Sequence, residues 1–284
     1  MGESRGARVV LSAGAATDVG LRRSKNEDSL LAAFPVFVVA DGMGGHDVGE
    51  RASQAVVAEL EPLVGRRDLT ATDVASALDR AHTVVRRIAD AQPNGAGSTV
   101  TGAVVVEQAG RAHWLVFNIG DSRVYRVRDG ELEQLTVDHS MAQELIEQGQ
   151  LAKSDVATFA QRNVITKAMG ADDSAADFWV YPIVEGDSLV VCSDGLTGEI
   201  SDAAIGEVVH SGVDAQAKAD RLVHAALAAG GRDNISVVVV EVVAGGISAS
   251  LDEATRMVRP SSESDDDDDD DGTTVEMPRR VPRG

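Results

Sequence analysis

Residues 99–136 read TVTGAVVVEQAGRAHWLVFNIGDSRVYRVRDGELEQLT. The runs from Thr99 to Glu107 and from Ala112 to Ile119 are apolar and rich in β-branched residues, and Ala109-Gly110 marks a turn between them. Gly120-Asp121-Ser122-Arg123 makes the next turn. Val124 to Arg128 and Glu131 to Thr136 then flank Asp129-Gly130, the strongest short-range hairpin signal a sequence offers. Four strands joined by tight turns form an antiparallel meander, which argues against a doubly wound parallel sheet.

Working outward toward the N-terminus, Phe34 to Ala40 is a short, continuous apolar run that reads as a buried strand, and Val9 to Ala16 as a first strand. The Phe34 run ends in Asp41-Gly42-Met43-Gly44-Gly45-His46, a glycine-rich turn around an acid that packing does not need. Apolar residues at three- and four-residue spacing predict helices over Val48 to Val64 and Ala71 to Ala91, the second capped by Thr72 or Asp73 and ended by Pro93-Asn94-Gly95. Beyond the meander, Ser140 to Gly149 reads as a short capped helix and residues 150–170 as a polar, irregular flap. Strands return at Phe178 to Val184 and Ser188 to Cys192, the latter running straight into Asp194-Gly195. Two helices follow, capped by Ser201 or Asp202 and by Asp214, the second stopping at Gly230-Gly231. Arg232-Asp233-Asn234 leads into Ile235 to Val243, an almost wholly apolar run typical of a central strand. Residues 8–243 therefore read as one folded domain, with the flap at about 140–165. Residues 244–284, with seven consecutive aspartates at 265–271, read as a disordered acidic tail.

Composition narrows the function. An apolar share of 43% over 284 residues supports a substantial core, and no apolar run reaches the 18 or so residues of a membrane span. The N-terminus lacks the blocks of a signal peptide, and the single cysteine, Cys192, excludes an internal disulfide framework, so a cytoplasmic protein is expected. The net charge is −20. Nine acids and three arginines in residues 261–284 account for −6 of it, leaving −14 on the rest. A body that acidic repels nucleic acid and anionic membranes, so neither is expected as a partner. Its acids are either ordinary solvated surface or gathered to hold cations.

Asp41 and Asp194 follow apolar strands, Asp233 precedes one, and Asp121 lies on a fourth turn, so these acids would converge if their strand ends shared a rim. Oxygen donors without a His or Cys cluster at zinc spacing favour Mg²⁺ or Mn²⁺. Two such ions would leave positive charge for a phosphate dianion, and a water shared between them could attack phosphorus in line. Upstream, Arg22-Arg23 precedes Glu27-Asp28: a guanidinium suits phosphate and the acids suit a metal or its water, although surface ion pairing is the plainer reading of that segment.

Taken together, Gly20 to Asp28, Asp41 to His46, Gly97-Ser98-Thr99, Gly120 to Arg123, Leu135 to His139, Cys192 to Leu196 and Gly231 to Ser236 resemble, in order, the motifs of the metal-dependent serine/threonine protein phosphatases of the PPM, or type 2C, class, in its bacterial branch. The resemblance implies an α+β fold: a β-sandwich of two antiparallel sheets flanked by antiparallel helices on both sides, with metals in a cleft at one end. It implies a monomer that hydrolyses phosphoserine and phosphothreonine in phosphorylated proteins, countering serine/threonine kinases and using two Mn²⁺ or Mg²⁺ ions and a third, weaker one. Asp41 would bridge both metals, the Gly42 carbonyl would bind one, and Asp194 and Asp233 would hold the other. Asp121 matches the third-metal aspartate, Arg23 the phosphate-binding arginine, and Glu27 and Asp28 the acids that orient metal-bound water. Met43 stands where animal members carry a histidine, as it does in bacterial relatives. This leaves the proton donor between a water and His46, for which a structural role is the alternative.

Competing chemistry is weaker. A thiol phosphatase needs an arginine six residues after its cysteine, and position 198 is glycine; Cys192 reads as core. Ser193 lacks the glycine two residues before it that a hydrolase elbow requires, and no Gly-Lys-Ser/Thr phosphate loop occurs. A catalytically dead scaffold would be expected to have lost metal carboxylates that this chain keeps. A phosphatase dedicated to one anti-sigma-factor antagonist would usually carry sensor domains, and none is visible. The tail reads either as a solubilising run or as a kinase target at Thr255, Thr273 and Thr274, whose phosphates forkhead-associated domains would bind.

Overall fold

The computed structural model describes residues 9–44, 47–93, 95–108, 110–246 and 256–257. In chain order the elements are β1 (Val10–Asp18), β2 (Asp28–Ala33), β3 (Val36–Gly44), α1 (Val48–Leu60), α2 (Ala71–Asp90), β4 (Ala96–Ser98), β5 (Val100–Gln108), β6 (Arg111–Ile119), β7 (Arg123–Arg128) and β8 (Glu131–Gln134). There follow α3 (Met141–Glu147), β9 (Asp177–Pro182), β10 (Ser188–Cys192), α4 (Asp194–Thr197), α5 (Asp202–His210), α6 (Ala215–Ala229), β11 (Ile235–Ala244) and β12 (Arg256–Met257).

The strands form two antiparallel sheets, one ordered β1-β11-β10-β7-β8 and the other β12-β9-β6-β5-β3-β2, with β4 pairing the far end of β3. Alternation along β3 explains the layering. Phe37 and Val39 face the other sheet and pack with Trp114, Val116, Leu189, Val191, Val238 and Val240. Val36, Val38 and Ala40 face α1 and α2, meeting Val56, Leu60, Val74 and Leu78. On the other outer face, Val190, Cys192, Val237 and Val239 pack against Ile205, Val209, Leu222 and Ala226 of α5 and α6. Strands covered on both sides need apolar residues on both sides, which is why β3, β10 and β11 lack polar alternation. The α-β-β-α sandwich is the architecture the motifs implied.

Several local expectations change. The chain between Asp28 and Ala33 had no predicted element, yet it forms β2, paired with β3 along its whole length. The Asp41–Gly44 segment is not a turn. It extends β3, because β4 supplies main-chain partners opposite Gly42, Met43 and Gly44. Thr70, rather than Thr72 or Asp73, caps α2: its hydroxyl accepts from the Asp73 N–H while the Asp73 carboxylate accepts from the Thr70 N–H, a closed capping box. The Asp129-Gly130 hairpin forms with both residues at positive φ, 52° and 83°. His46, Asn94, Ala109, Thr255 and residues 258–284 lie outside the described residues.

Candidate active site

The site is built by register. Antiparallel pairing sets Asp28 of β2 directly opposite Asp41 of β3. In the other sheet, β10 and β11 pair Cys192 with Val237, which brings Asp194, just beyond β10, level with the start of β11 and close to Asp233. The β6–β7 turn contributes Asp121. The acids therefore gather where the rims of both sheets meet. Glu27 and Arg23 sit on the loop before β2.

Main-chain and hydroxyl contacts fix these positions. The Asp41 N–H donates to Thr99 Oγ1 at 3.0 Å, Thr99 N–H donates to the Asp41 carbonyl at 2.8 Å, and Thr99 Oγ1 lies 2.8 Å from Ser122 Oγ beside Asp121. Asn234 ties the loop to Asp233. Its Nδ2 donates to the carbonyls of Val19 and Lys25, its Oδ1 accepts from the Glu27 N–H, and its own N–H donates to Asp233 Oδ1. Ser193 Oγ donates to Asp28 Oδ2 at 2.8 Å and accepts from the Ser236 N–H. Arg23 Nη2 donates to Asp233 Oδ2 at 2.7 Å. Arg123, two residues past Asp121, forks onto Asp138 and also reaches Tyr125 Oη.

Gly42 shows how tightly the backbone is drawn in. A Cβ there would stand 2.1 Å from the Gly49 carbonyl oxygen and 2.7 Å from that of Glu27, so no side chain fits. The space beside Gly49 is likewise reserved: a Cβ on Gly49 would meet Glu27 Oε1 at 2.6 Å and the Gly42 carbonyl oxygen at 2.9 Å. Two oxygens of different origin thus flank one small gap.

Crowded acids hold their protons. Burial, reinforced by Asp28, Asp194, Asp121 and Asp233, keeps the Asp41 carboxyl well above the usual carboxylate range. Burial pushes Asp28 up to about 7 against the hydrogen bonds from Ser236 and Ser193, and pushes Asp121 up to about 8 with help from Asp194 and Asp138. Asp194 is raised by burial and by the neighbouring Asp233. Burial also raises Glu27, and the hydrogen bond to Asp233 raises Arg23. Two enclosed oxygens, Asp28 Oδ1 and Asp194 Oδ1, have no hydrogen-bond partner. Orphaned acceptors among carboxyls raised by burial and by one another suit a donor set for a hard cation, which would displace their protons. Among the described residues no three Asp, Glu, His or Cys side chains stand ready to hold an ion unaided. Main-chain carbonyls and water would complete the shell of any ion held there, as Mg²⁺ and Mn²⁺ accept.

Cys192 belongs to none of this. It faces the α5–α6 layer, fully buried, and burial pushes its thiol up to about 12. Asn234 and Ser193 are site residues to which the motifs assign no role. A signal existed in each, a polar side chain placed directly beside an acid at the mouth of a wholly apolar strand.

Fold and site together define a two-sheet sandwich with an acidic, arginine-flanked rim, and residues 22–229 match the protein phosphatase 2C family; the chain belongs to that family. Among relatives, it is 36% identical over 264 residues to the serine/threonine protein phosphatase PstP of Mycobacterium tuberculosis, covering 87% of this chain and 50% of that protein. The chain thus spans about half the length of PstP. It is 32% identical over 240 residues to the serine/threonine phosphatase stp of Listeria monocytogenes, covering 79% of this chain and 93% of that one. Among solved structures, the catalytic domain of PstP in complex with two manganese ions superposes with a TM-score of 0.76 at 32% identity, covering 84% of this chain and all of that one. No helix among the described residues is long and apolar enough to cross a membrane.

Proposed function

We propose that this chain is a metal-dependent phosphatase that hydrolyses phosphoserine and phosphothreonine in proteins, countering serine/threonine kinases. The observation that carries the reading is the convergence of Asp28, Asp41, Asp121, Asp194 and Asp233 at one rim, with unpartnered enclosed oxygens, beside a guanidinium. Asp41, the Gly42 carbonyl, Asp194 and Asp233 would hold two Mn²⁺ or Mg²⁺ ions, and Asp121 a third. Such ions, when bound, acidify water and neutralise phosphoryl charge. Arg23 is half-exposed and reaches Asp233 from the solvent side, so it is placed to exchange that carboxylate for two phosphoryl oxygens. Glu27 and Asp28, each fixed by main-chain or hydroxyl donors, would orient the attacking water. The expected mechanism is direct displacement with no phosphoenzyme, and family membership together with the named relatives supports it.

The test is hydrolysis of p-nitrophenyl phosphate and a phosphothreonine peptide with and without Mn²⁺, in wild type and Asp194→Asn. We expect metal-dependent turnover that the substitution lowers by at least about 100-fold. Equal, negligible rates in both folded proteins with metal in excess overturn the reading and leave a scaffold. We further propose a cytoplasmic monomer whose tail is a kinase target at Thr255, Thr273 and Thr274, read by forkhead-associated domains. Failure of a cognate kinase to label those threonines sinks that part.

A further inference from the structure

We propose that Leu21 and Leu227, meeting over Gly231 beside the acidic rim, form an apolar ledge that grips side chains flanking the phosphorylated residue of a substrate, while Arg22 reads an acid next to them. The inference rests on the phosphatase reading and names its preferred substrates: phosphopeptides with a leucine-sized apolar residue within two positions of the phosphothreonine, and an acid close by.

Three observations carry it. The first is exposure. Leu21 is 66% exposed, the highest value among the exposed large hydrophobic side chains described. A lone apolar side chain on a surface needs no explanation, but Leu21 is not alone. A Cβ built on Gly231 would stand 3.0 Å from Leu21 Cγ and 3.1 Å from Leu227 Cδ2, so both leucines border the space that the glycine leaves. Leu227 is half-buried and packs on the core beneath α6.

The second is order. The Leu21 N–H donates to the Gly231 carbonyl at 2.6 Å, and the Gly20 N–H to Asp18 Oδ1 at 2.7 Å. Gly20 is pressed so close that a Cβ there would stand 2.2 Å from the Asp233 carbonyl oxygen and 2.8 Å from that of Gly231. Asn234 Nδ2 holds the Val19 carbonyl before Leu21 and the Lys25 carbonyl after it. Folding has thus met the ordering cost of this segment before any peptide arrives.

The third is place. Leu21 lies two residues before Arg23, whose Nη2 meets Asp233 Oδ2, and Gly231 lies two residues before Asp233. Successive Cα atoms are about 3.8 Å apart, so a peptide whose phosphoryl group sits at Arg23 brings its next one or two side chains to the ledge. Arg22 is exposed and has no ion-pair partner among the described residues. Its neighbours Arg23, Lys25 and Arg232 are instead paired with Asp233, Asp47 and Glu199. A guanidinium left over on so negative a body suits an acid on the incoming peptide.

The experiment measures kcat/KM of the full chain with Mn²⁺ on three phosphothreonine peptides. One is flanked by serines, one has leucines in place of the serines within two positions of the phosphothreonine, and one adds an aspartate to the leucines. We expect wild type to favour the leucine peptide over the serine peptide at least about fivefold, as partial burial of a leucine side chain gives. Leu21→Ser should erase that preference and leave p-nitrophenyl phosphate turnover unchanged, and Leu21→Met, of like volume, should keep it. The aspartate should add at least about twofold at low salt, a gain lost in Arg22→Gln. Equal kcat/KM for the serine and leucine peptides in wild type, or a leucine preference that survives Leu21→Ser, overturns the ledge. An aspartate gain that is absent, or that survives Arg22→Gln, overturns the part given to Arg22. No turnover of any peptide or of p-nitrophenyl phosphate sinks the phosphatase reading and the ledge with it, whereas turnover without peptide preference sinks the ledge alone.

Discussion

At the scale of the residue, the hydroxyl of Ser193 does what its neighbours' charges cannot. It holds Asp28 Oδ2 by donation and takes the Ser236 N–H in return, so the side chain clamps a buried acid of β2 to the strand that follows Asp233. Ser193→Ala leaves the buried Ser236 N–H without its acceptor and Asp28 with one donor fewer, and we expect a loss of about 1–3 kcal/mol in denaturant unfolding. Turnover should fall through kcat with little change in KM, because the substitution disturbs an orienting acid and spares Arg23. Unchanged stability and kcat would show that Asp28 is held by Ser236 alone. A sequence shows that Ser193 adjoins Asp194; it does not show that the hydroxyl reaches 165 positions back along the chain to Asp28.

At the scale of the element, the flap and the Asp121 turn are joined through His139. The Gly120 N–H donates to Nδ1, so Nε2 carries the proton and faces Asp177. His139→Ala strips the buried Gly120 N–H of its acceptor at a cost of about 1–3 kcal/mol. Hydrogen exchange at Gly120 should quicken by at least about tenfold while the β5 and β11 amides keep their protection. Exchange unaltered at Gly120 would mean that the turn stands without the imidazole. Most elements were legible in the sequence for plain reasons: β10 and β11 are largely apolar, with a valine-rich run at the heart of β11, and Asp129-Gly130 admits little but a hairpin. β2 was not, because Asn26 to Ser29 is polar and Leu30-Leu31-Ala32-Ala33 has no strand-like alternation. It is a strand only because β3 offers it a partner, a long-range fact that local propensity does not carry. The acids of the site were legible as residue types at strand ends. The two-sheet rim they share was not, since which sheet a strand joins is decided by packing.

At the scale of the whole molecule, the acidic rim makes stability depend on pH in a particular direction. In the metal-free protein Asp28 is held up to about 7 and Asp121 up to about 8, against about 4 in an unfolded chain. The folded state binds those protons more tightly, so their contribution is complete below about pH 4 and is lost as pH rises through 7 to 8. The acids whose values are lowered, such as Asp73 and Asp177, act below pH 4 and leave this window untouched. We expect the Tm of the protein in EDTA to fall steadily from pH 5 to pH 8, and Mn²⁺ to abolish the fall by replacing the protons; a flat metal-free profile would contradict the clustering. The five-stranded sheet carries one further consequence, for the ribosome. One of its inner strands, β11, is made after both of its neighbours, and pairs β1 on one side and β10 on the other. Until residues 235–244 leave the exit tunnel, β1 and β10 have no strand between them and Asp233 has nowhere to sit. Synthesis of nearly the whole domain therefore passes before the acids of the rim can gather, and a nascent chain stalled short of β11 lacks the strand that sets Asp233 near Asp194.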